Sequence, residues 1–114
     1  MTTKDTNTKG VTEERPCALF HPGRLYMTHG VKARLDRKEL SNTELLLFIG
    51  KHLCGDWGDL CPGDKVANEK AVLSGARIFS TYRSEAGEKF FVITEQADMC
   101  GRRTVTTVLL ADEY

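Results

Sequence analysis

A group of polar side chains in this sequence is of the types that bind or cleave a phosphodiester. Its members are His52, Asp56, Asp59, Asn68, Arg77, Ser80, Tyr82, Glu95 and either Arg102 or Arg103. An arginine binds phosphate through paired N–H donors, and Tyr, Glu or His side chains transfer protons. Small metal-independent ribonucleases use such mixtures on an α+β sheet, which makes His52, Arg77, Tyr82 and Glu95 the candidate catalytic residues.

The charged members of this group also have structural interpretations. Arg77 could form an ion pair with Asp56, Asp59 or Glu95 and so hold a turn against the sheet. Asp56 and Asp59 could also cap the helix that follows them, because a carboxylate accepts from the free N–H groups of a first helical turn. Neither interpretation requires catalysis, and both stay open on the sequence alone.

The remaining candidates can be explained by packing. Tyr82 could lie in the core with its hydroxyl bonded at the rim. Trp57 is expected to be a packing anchor, since a single aromatic ring does not make a stacking surface for nucleic acid. His52 lies near the end of a predicted helix, where its charged form is favoured. The balance is against an enzyme and for a binding surface. That surface would include Asp56, Trp57, Asp59, Arg77, Tyr82, Arg102 and Arg103.

The charge balance limits the class of partner. Lys and Arg together number 16, Asp and Glu also number 16, and the formal net charge is zero. Nucleic-acid-binding domains usually carry a basic footprint, and here only the segment Arg24–Lys38 is rich in basic residues. Because charged runs are usually solvated faces, nucleic acid is the weaker alternative to a protein partner.

Cysteines and apolar runs indicate the compartment. The four cysteines are at positions 17, 54, 61 and 100. No two of them have the C-x2-C spacing typical of zinc sites, so we expect neither a metal nor another cofactor. The polar N-terminus does not resemble a signal peptide, and the longest apolar run, Leu45–Ile49, is too short to span a bilayer. A cytoplasmic protein with reduced thiols is therefore expected.

Two helices are predicted in the middle of the chain. The first covers about 42–54, because Ser41 and Glu44 have the spacing of a capping box and apolar residues then recur at helical spacing. The second covers about 62–74, with Pro62 in its first turn and Gly75 as its left-handed terminator.

From Ala76 onwards the apolar period changes from 3.6 to 2, which predicts strands at 76–83, 89–95 and 104–110. Short loops between them favour an antiparallel meander packed against the helices. A short strand at 24–28 and a short helix at 31–35 would precede the main helices. If the third strand of the meander is a sheet edge, it could pair with a second copy and form a homodimer.

The expected fold class is therefore α+β, with a three-stranded antiparallel meander against two main helices. Residues 1–15 are polar and lack periodicity, which predicts a flexible lead. Residues 16–114 are expected to form a single domain.

Several motifs taken together resemble a known family. They are Gly55-Asp56-Trp57-Gly58-Asp59, Asp64 with Ala67-Asn68-Glu69, Gly75-x-Arg77-x-x-Ser80-x-Tyr82, Val92-Ile93-Thr94-Glu95, and Thr106-Thr107-Val108-Leu109-Leu110 with Glu113-Tyr114. This combination resembles a family of small "plasmid-related" proteins encoded on bacterial plasmids, prophages and integrative elements. The sequence departs from the family pattern in a longer loop before the last strand, which displaces the loop arginine to Arg102 or Arg103, and in Ala111, where the family has proline.

The resemblance implies an accessory protein of a mobile genetic element. Such a protein would act by binding a macromolecular partner, for example a host-defence complex, and would then have an anti-defence role. It names no partner and no activity. The small ribonuclease or toxin-like enzyme described above is the alternative function.

Overall fold

The computed structural model describes residues 18–114. The elements in chain order are β1 (Arg24–Met27), α1 (His29–Asp36), α2 (Asn42–Leu53), α3 (Pro62–Ser74), β2 (Ile78–Arg83), β3 (Lys89–Thr94) and β4 (Val105–Leu110), followed by a 3-10 turn (Ala111–Glu113). The predicted α+β class and the three-stranded meander are confirmed. The flexible lead predicted for residues 1–15 lies outside the described residues.

Local sequence signals set the ends of the helices. The Ser41 side chain accepts from the Glu44 amide, and the Glu44 carboxylate accepts from the Ser41 amide, so the predicted capping box of α2 is present. Gly75 ends α3 with a φ of 84°. Helix α1 begins at His29, earlier than predicted, because the Thr28 hydroxyl caps it by accepting from the Val31 amide.

The sheet has four strands in the order β1-β4-β3-β2. Strands β2, β3 and β4 pair antiparallel, and β1 pairs parallel with β4, from Arg24 opposite Val105 to Met27 opposite Val108. The prediction that the third meander strand is a sheet edge is wrong, because β1 covers that edge. Parallel pairing requires a long connection, and here the chain passes through all three helices and strands β2 and β3 between β1 and β4. No local sequence pattern predicts this pairing.

The helices pack on one face of the sheet. Alternate strand residues point to this face, and one core cluster joins Val31 and Phe48 on the helices to Tyr82, Phe90 and Val108 on the strands. The Phe48 ring stacks on Tyr82 with centroids 5.2 Å apart. No helix of residues 18–114 packs on the other face of the sheet.

A second core cluster lies under α3. Trp57 is only 3% exposed and packs with Ala71 and Ile78, while its indole N–H donates to the Glu69 carboxylate at 2.8 Å. The prediction that Trp57 is a packing anchor is therefore confirmed, and the ring is not available as a stacking platform.

Cysteine chemistry differs from the sequence-based expectation at one position. Cys54 is disulfide-bonded, whereas Cys61 and Cys100 are free and exposed. The expectation of reduced thiols is thus wrong for Cys54. Among residues 18–114, no cluster of three or more His, Cys, Asp or Glu side chains could hold a metal ion. Within the same range, no helix has the length and apolar character needed to cross a membrane.

Candidate binding cleft

A cleft with a volume of about 810 Å³ opens at one end of the sheet. Its walls come from the C-terminal end of α3, the β3–β4 loop and the segment 20–23 that precedes β1. Both arginines of the predicted binding surface that come from this loop, Arg102 and Arg103, line it. The other predicted site residues do not.

Arg103 holds these walls together. One guanidinium nitrogen, Nη1, donates to the carbonyls of Ala76 at 2.8 Å and Glu95 at 3.2 Å, and the other, Nη2, donates to the carbonyl of Ala71 at 2.8 Å. The Arg103 guanidinium carbon also lies 5.3 Å from the centroid of the Phe20 ring. The side chain therefore binds the last turn of α3, the entry to β2 and the end of β3 at once.

Within residues 18–114, the charge of Arg103 is not balanced by a carboxylate. No ion pair to Arg103 or Arg102 exists among residues 18–114. A guanidinium has five N–H donors. Three of those on Arg103 are bound to carbonyls of the described residues, and this part of the chain leaves the other two for a ligand. Burial lowers the pKa of Arg103, because removal from water disfavours the charged form. An acceptor that enters the cleft would meet a partly dehydrated cation.

The β3–β4 loop is organised by Asp98. Its Oδ1 atom accepts from the amides of Cys100 and Arg102, each at 2.9 Å. The amide of Gly101 donates to the Asp98 carbonyl at 2.9 Å. This turn places the Met99 side chain at the tip of the loop, where it is fully exposed.

The rim of the cleft is apolar. Leu73, on the last turn of α3, and Met99, in the β3–β4 loop, both line the cleft, with relative exposures of 90% and 104%. Phe20 and Val72 line the interior and are partly buried. Exposed large apolar side chains that border a cleft are a feature of protein interaction sites.

His21 contributes a further polar group, and sequence reasoning missed it. Its Nδ1 atom accepts from the Gly23 amide at 3.0 Å, so Nδ1 is unprotonated and the remaining ring nitrogen, Nε2, carries the proton in the neutral form. Gly23 has a φ of 69°, and a Cβ there would lie 2.3 Å from the Thr104 carbonyl carbon. Only glycine fits this position, and the His-Pro-Gly cluster was the only signal of it in the sequence.

The candidate catalytic residues do not meet in this cleft or in another one. Arg77 lies beside Glu95, with Nε 3.6 Å from the carboxylate, and over the Tyr114 ring on the face without helices. Tyr82 lies on the opposite face, where its ring stacks on Phe48 and its hydroxyl donates to the Asp56 carbonyl at 2.6 Å. Burial raises the pKa of Tyr82. The packing interpretation of Tyr82 is confirmed. Arg77 does form one of the predicted ion pairs, with Glu95, but the pair is exposed and does not involve the turn of Asp56 and Asp59.

His52 is fully buried and neutral. Burial lowers its pKa to about 3, and the charge of Arg103 adds to the effect. The prediction that a position near the helix C-terminus favours the charged form is therefore wrong, because desolvation outweighs the helix dipole at a side chain without exposed surface. An imidazole with no exposed surface is a poor candidate for proton transfer to a substrate.

The hydrogen bonds of His52 fix its tautomer. They belong to a chain that starts at Ser80 and runs through Thr94 and Thr106 to the carbonyl of Pro22. A carbonyl can only accept, so Thr106 donates to Pro22 and must accept from Thr94. Thr94 in turn accepts from the His52 Nε2–H. The Nδ1 atom of His52 is therefore unprotonated and accepts from Ser80. The chain crosses three strands and was not predicted.

Asp56 and Asp59 do not cap α3. The N-cap residue of α3 is Cys61, which makes no side-chain capping bond. Asp56 instead accepts from the Gly58 amide at 3.3 Å, and Asp59 lies 3.9 Å from Arg83. The capping prediction was wrong because both residues belong to a separate turn that packs beside β2.

Comparison with known proteins gives no match of any kind: no family model, no curated protein and no solved structure matches this chain. The resemblance to proteins of mobile elements therefore stays a prediction, and the functional argument depends on the geometry of the cleft.

Proposed function

We propose that this chain is a small, non-enzymatic accessory protein of a bacterial mobile genetic element that binds a protein partner in the cleft beside Arg102 and Arg103. A host-defence complex in the cytoplasm is the kind of partner that the sequence resemblance supports. The observation that carries the proposal is the Arg103 guanidinium, which keeps two N–H donors and no carboxylate partner among residues 18–114.

The chemistry of the cleft specifies the segment that would bind. A carboxylate can accept from the two remaining N–H donors of Arg103, and a charge-assisted hydrogen bond contributes about 1.5–3 kcal/mol. Leu73 and Met99 on the rim would bury apolar surface against a neighbouring side chain, which contributes roughly 25 cal/mol per Å². The partner therefore presents an Asp or Glu next to a Leu, Ile or Met.

Nucleic acid fits this cleft less well. Phosphate could also bind Arg103, but the chain has zero net charge, and Phe20 is the only Phe, Tyr or Trp among the described residues that line the cleft. The predicted basic segment 24–38 is largely neutralised, because Arg34 forms a two-point contact with Glu88 and Lys32 lies 3.5 Å from Asp36. An acidic peptide segment is the better match for charge and apolar surface together.

An enzymatic function has no assembled site to support it. The ribonuclease hypothesis requires Arg77 and Tyr82 in one cleft, and they lie on opposite faces of the sheet. His52 is buried away from both. The binding function is therefore the one that we propose.

A peptide-display selection on the purified full chain tests the proposed ligand class. We expect the enriched peptides to carry Asp or Glu beside an apolar residue, and we expect Arg102→Glu to weaken their binding at least tenfold. Lys51→Glu, an exposed change of the same charge on α2 outside the lining of this cleft, is the matched control. Enrichment of basic peptides, equal losses in both variants, or tighter binding of a single-stranded RNA oligonucleotide would contradict the proposal.

The biological part of the proposal is tested in a bacterial host. A photo-crosslinking amino acid at the exposed position 99 should capture a discrete host protein, and the crosslink should disappear in the Arg102→Glu background. The captured protein should contain an acidic-apolar segment at the crosslinked position. A crosslink that persists in Arg102→Glu, or that maps to a basic segment, would count against this cleft as the docking site.

A further inference from the structure

The two edge strands of the sheet differ in whether their outward backbone groups are hydrogen-bonded. Edge strand β2 is closed. The Asn68 carboxamide accepts from the Phe79 amide at 3.2 Å and donates to the Phe79 carbonyl at 2.6 Å. Two positions further, the Thr81 amide donates to the Trp57 carbonyl at 3.2 Å, and the Asp59 amide donates to the Thr81 carbonyl at 2.9 Å. Every outward backbone group of residues 79 and 81 is therefore paired.

Edge strand β1 is open within the described part of the chain. The amides of Arg24 and Thr28 donate to the carbonyls of Thr104 and Val108, at 2.9 Å and 3.1 Å, on the β4 side. Because backbone groups alternate along a strand, the N–H and C=O groups of Leu25 and Met27 point away from β4. No group within residues 18–114 bonds to them. The side chains of Leu25 and Met27 are 50% and 45% exposed.

Among residues 18–114, no loop or side chain pairs with the outward backbone groups of β1. Natural edge strands are kept short or are blocked by charged side chains, Pro, a bulge or a covering loop. Strand β1 is four residues long and begins with Arg24, but the two residues whose backbone groups point outward are leucine and methionine. At the other edge of the sheet, by contrast, the Asn68 side chain and the loop 57–59 bond to the outward groups of β2. The open β1 edge is therefore a surface for a partner strand.

The sequence of β1 is complementary to itself. In an antiparallel pair centred on Tyr26, Leu25 of one copy lies opposite Met27 of the other, and each such pair exchanges two backbone hydrogen bonds. The two Tyr26 side chains meet across the axis, and Arg24 lies opposite Thr28. Apolar residues thus face apolar residues, and no like charges are directly opposed.

We propose that a second copy of this chain occupies the β1 edge and forms a two-fold dimer with one continuous eight-stranded sheet. The contact is isologous, since the same strand supplies both sides. The register with Thr106 and Val108 places the Leu25 and Met27 side chains on the helix-bearing face, so they pack against each other next to the two cores. Tyr26, aligned with Thr107, pairs on the other face. This dimer is independent of what binds in the Arg103 cleft.

Light scattering after size-exclusion chromatography of the full chain tests the dimer. We expect twice the chain mass at tens of micromolar, and at least a tenfold weaker dimer for Met27→Lys, which places like charges inside the interface. Leu25→Pro removes only an outward N–H and should have the same effect. Leu47→Lys, an apolar residue of similar exposure on α2, should leave the dimer intact.

Hydrogen exchange supplies a second readout that does not depend on variants. The amides of Leu25 and Met27 should exchange slowly at high protein concentration and rapidly on dilution, whereas the amide of Thr28, bonded within the chain, should change little. A monomeric mass, a dimer that persists in both β1 variants with native circular dichroism, or rapid exchange at Leu25 in the dimer would overturn the proposal.

Discussion

The Nε2 atom of His52 lies 2.9 Å from the Thr94 hydroxyl oxygen, inside the core and without solvent contact. This hydrogen bond joins α2 to the central strand β3. It also commits the imidazole to its neutral form, because a second proton on Nδ1 would face the proton that Ser80 donates there.

Stability should therefore fall with pH in a window set by His52. The folded pKa of about 3 is below the ordinary value of 6.5, so the unfolded chain takes up the proton first. The contribution of His52 is complete above pH 6.5 and is lost as pH falls towards 3, with a slope of up to about 1.4 kcal/mol per pH unit. Urea denaturation at pH 7, 6 and 5 measures it before most carboxylates titrate.

A matched variant assigns this slope to His52. In His52→Gln the free energy of unfolding should be lower at pH 7 but nearly flat between pH 7 and pH 5. The exposed His29 remains in both proteins and serves as the internal control. An unchanged slope in the variant would refute the assignment.

An Arg→Lys substitution should lower the free energy of unfolding at position 103 but not at position 102. Arg103→Lys replaces a planar group that bonds three carbonyls with one ammonium that cannot reach all of them. We expect a loss of about 1–3 kcal/mol in the free energy of unfolding, from unsatisfied carbonyls in the partly buried cleft. Arg102→Lys, at an exposed neighbouring position, should stay within about 0.5 kcal/mol. Equal effects of the two variants would show that Arg103 does not hold the cleft together.

Asn68→Ala should destabilise the protein by about 2 kcal/mol, because it leaves the amide and carbonyl of Phe79 without partners at a buried edge. Guanidinium denaturation measures the loss, and Lys70→Ala on the exposed side of the same helix is the control. Asn68→Ala should also associate at high concentration, since it opens the β2 edge. A variant as stable as the control would contradict this role.

Two glycine-to-alanine substitutions should have opposite signs. Gly50 lies within α2, and a Cβ there would meet no atom within 4 Å, so Gly50→Ala should stabilise the protein by about 0.5–1 kcal/mol. At Gly23 the added Cβ would overlap the Thr104 backbone, and Gly23→Ala should unfold the wall of the cleft. Thermal denaturation distinguishes them. A neutral Gly23→Ala would mean that segment 20–23 is free to move.

Signals confined to a few neighbouring residues predicted most of the fold. The Ser41 capping box, the Gly75 terminator and the change of period at Ala76 each depend on contacts within one turn or one strand, and each prediction was confirmed. The packing of Trp57 followed from its size and isolation.

Features that join distant parts of the chain were not predictable in this way. The parallel pairing of β1 with β4 joins residues about eighty positions apart, and no local pattern encodes it. The burial of His52 depends on Thr94, which only the folded sheet brings near. Likewise, Arg103 was a candidate from its side-chain type and from the position of the family's loop arginine, whereas its contact with Phe20 required the fold.

The segment that ends at Gly23 closes one wall of the cleft and leads directly into β1. In the proposed antiparallel dimer, the N-terminal ends of the two β1 strands lie at opposite ends of the β1–β1 interface. The two clefts therefore open in opposite directions. A target with repeated or symmetric subunits could then be bridged, and the gain in avidity would come from geometry without any new contact.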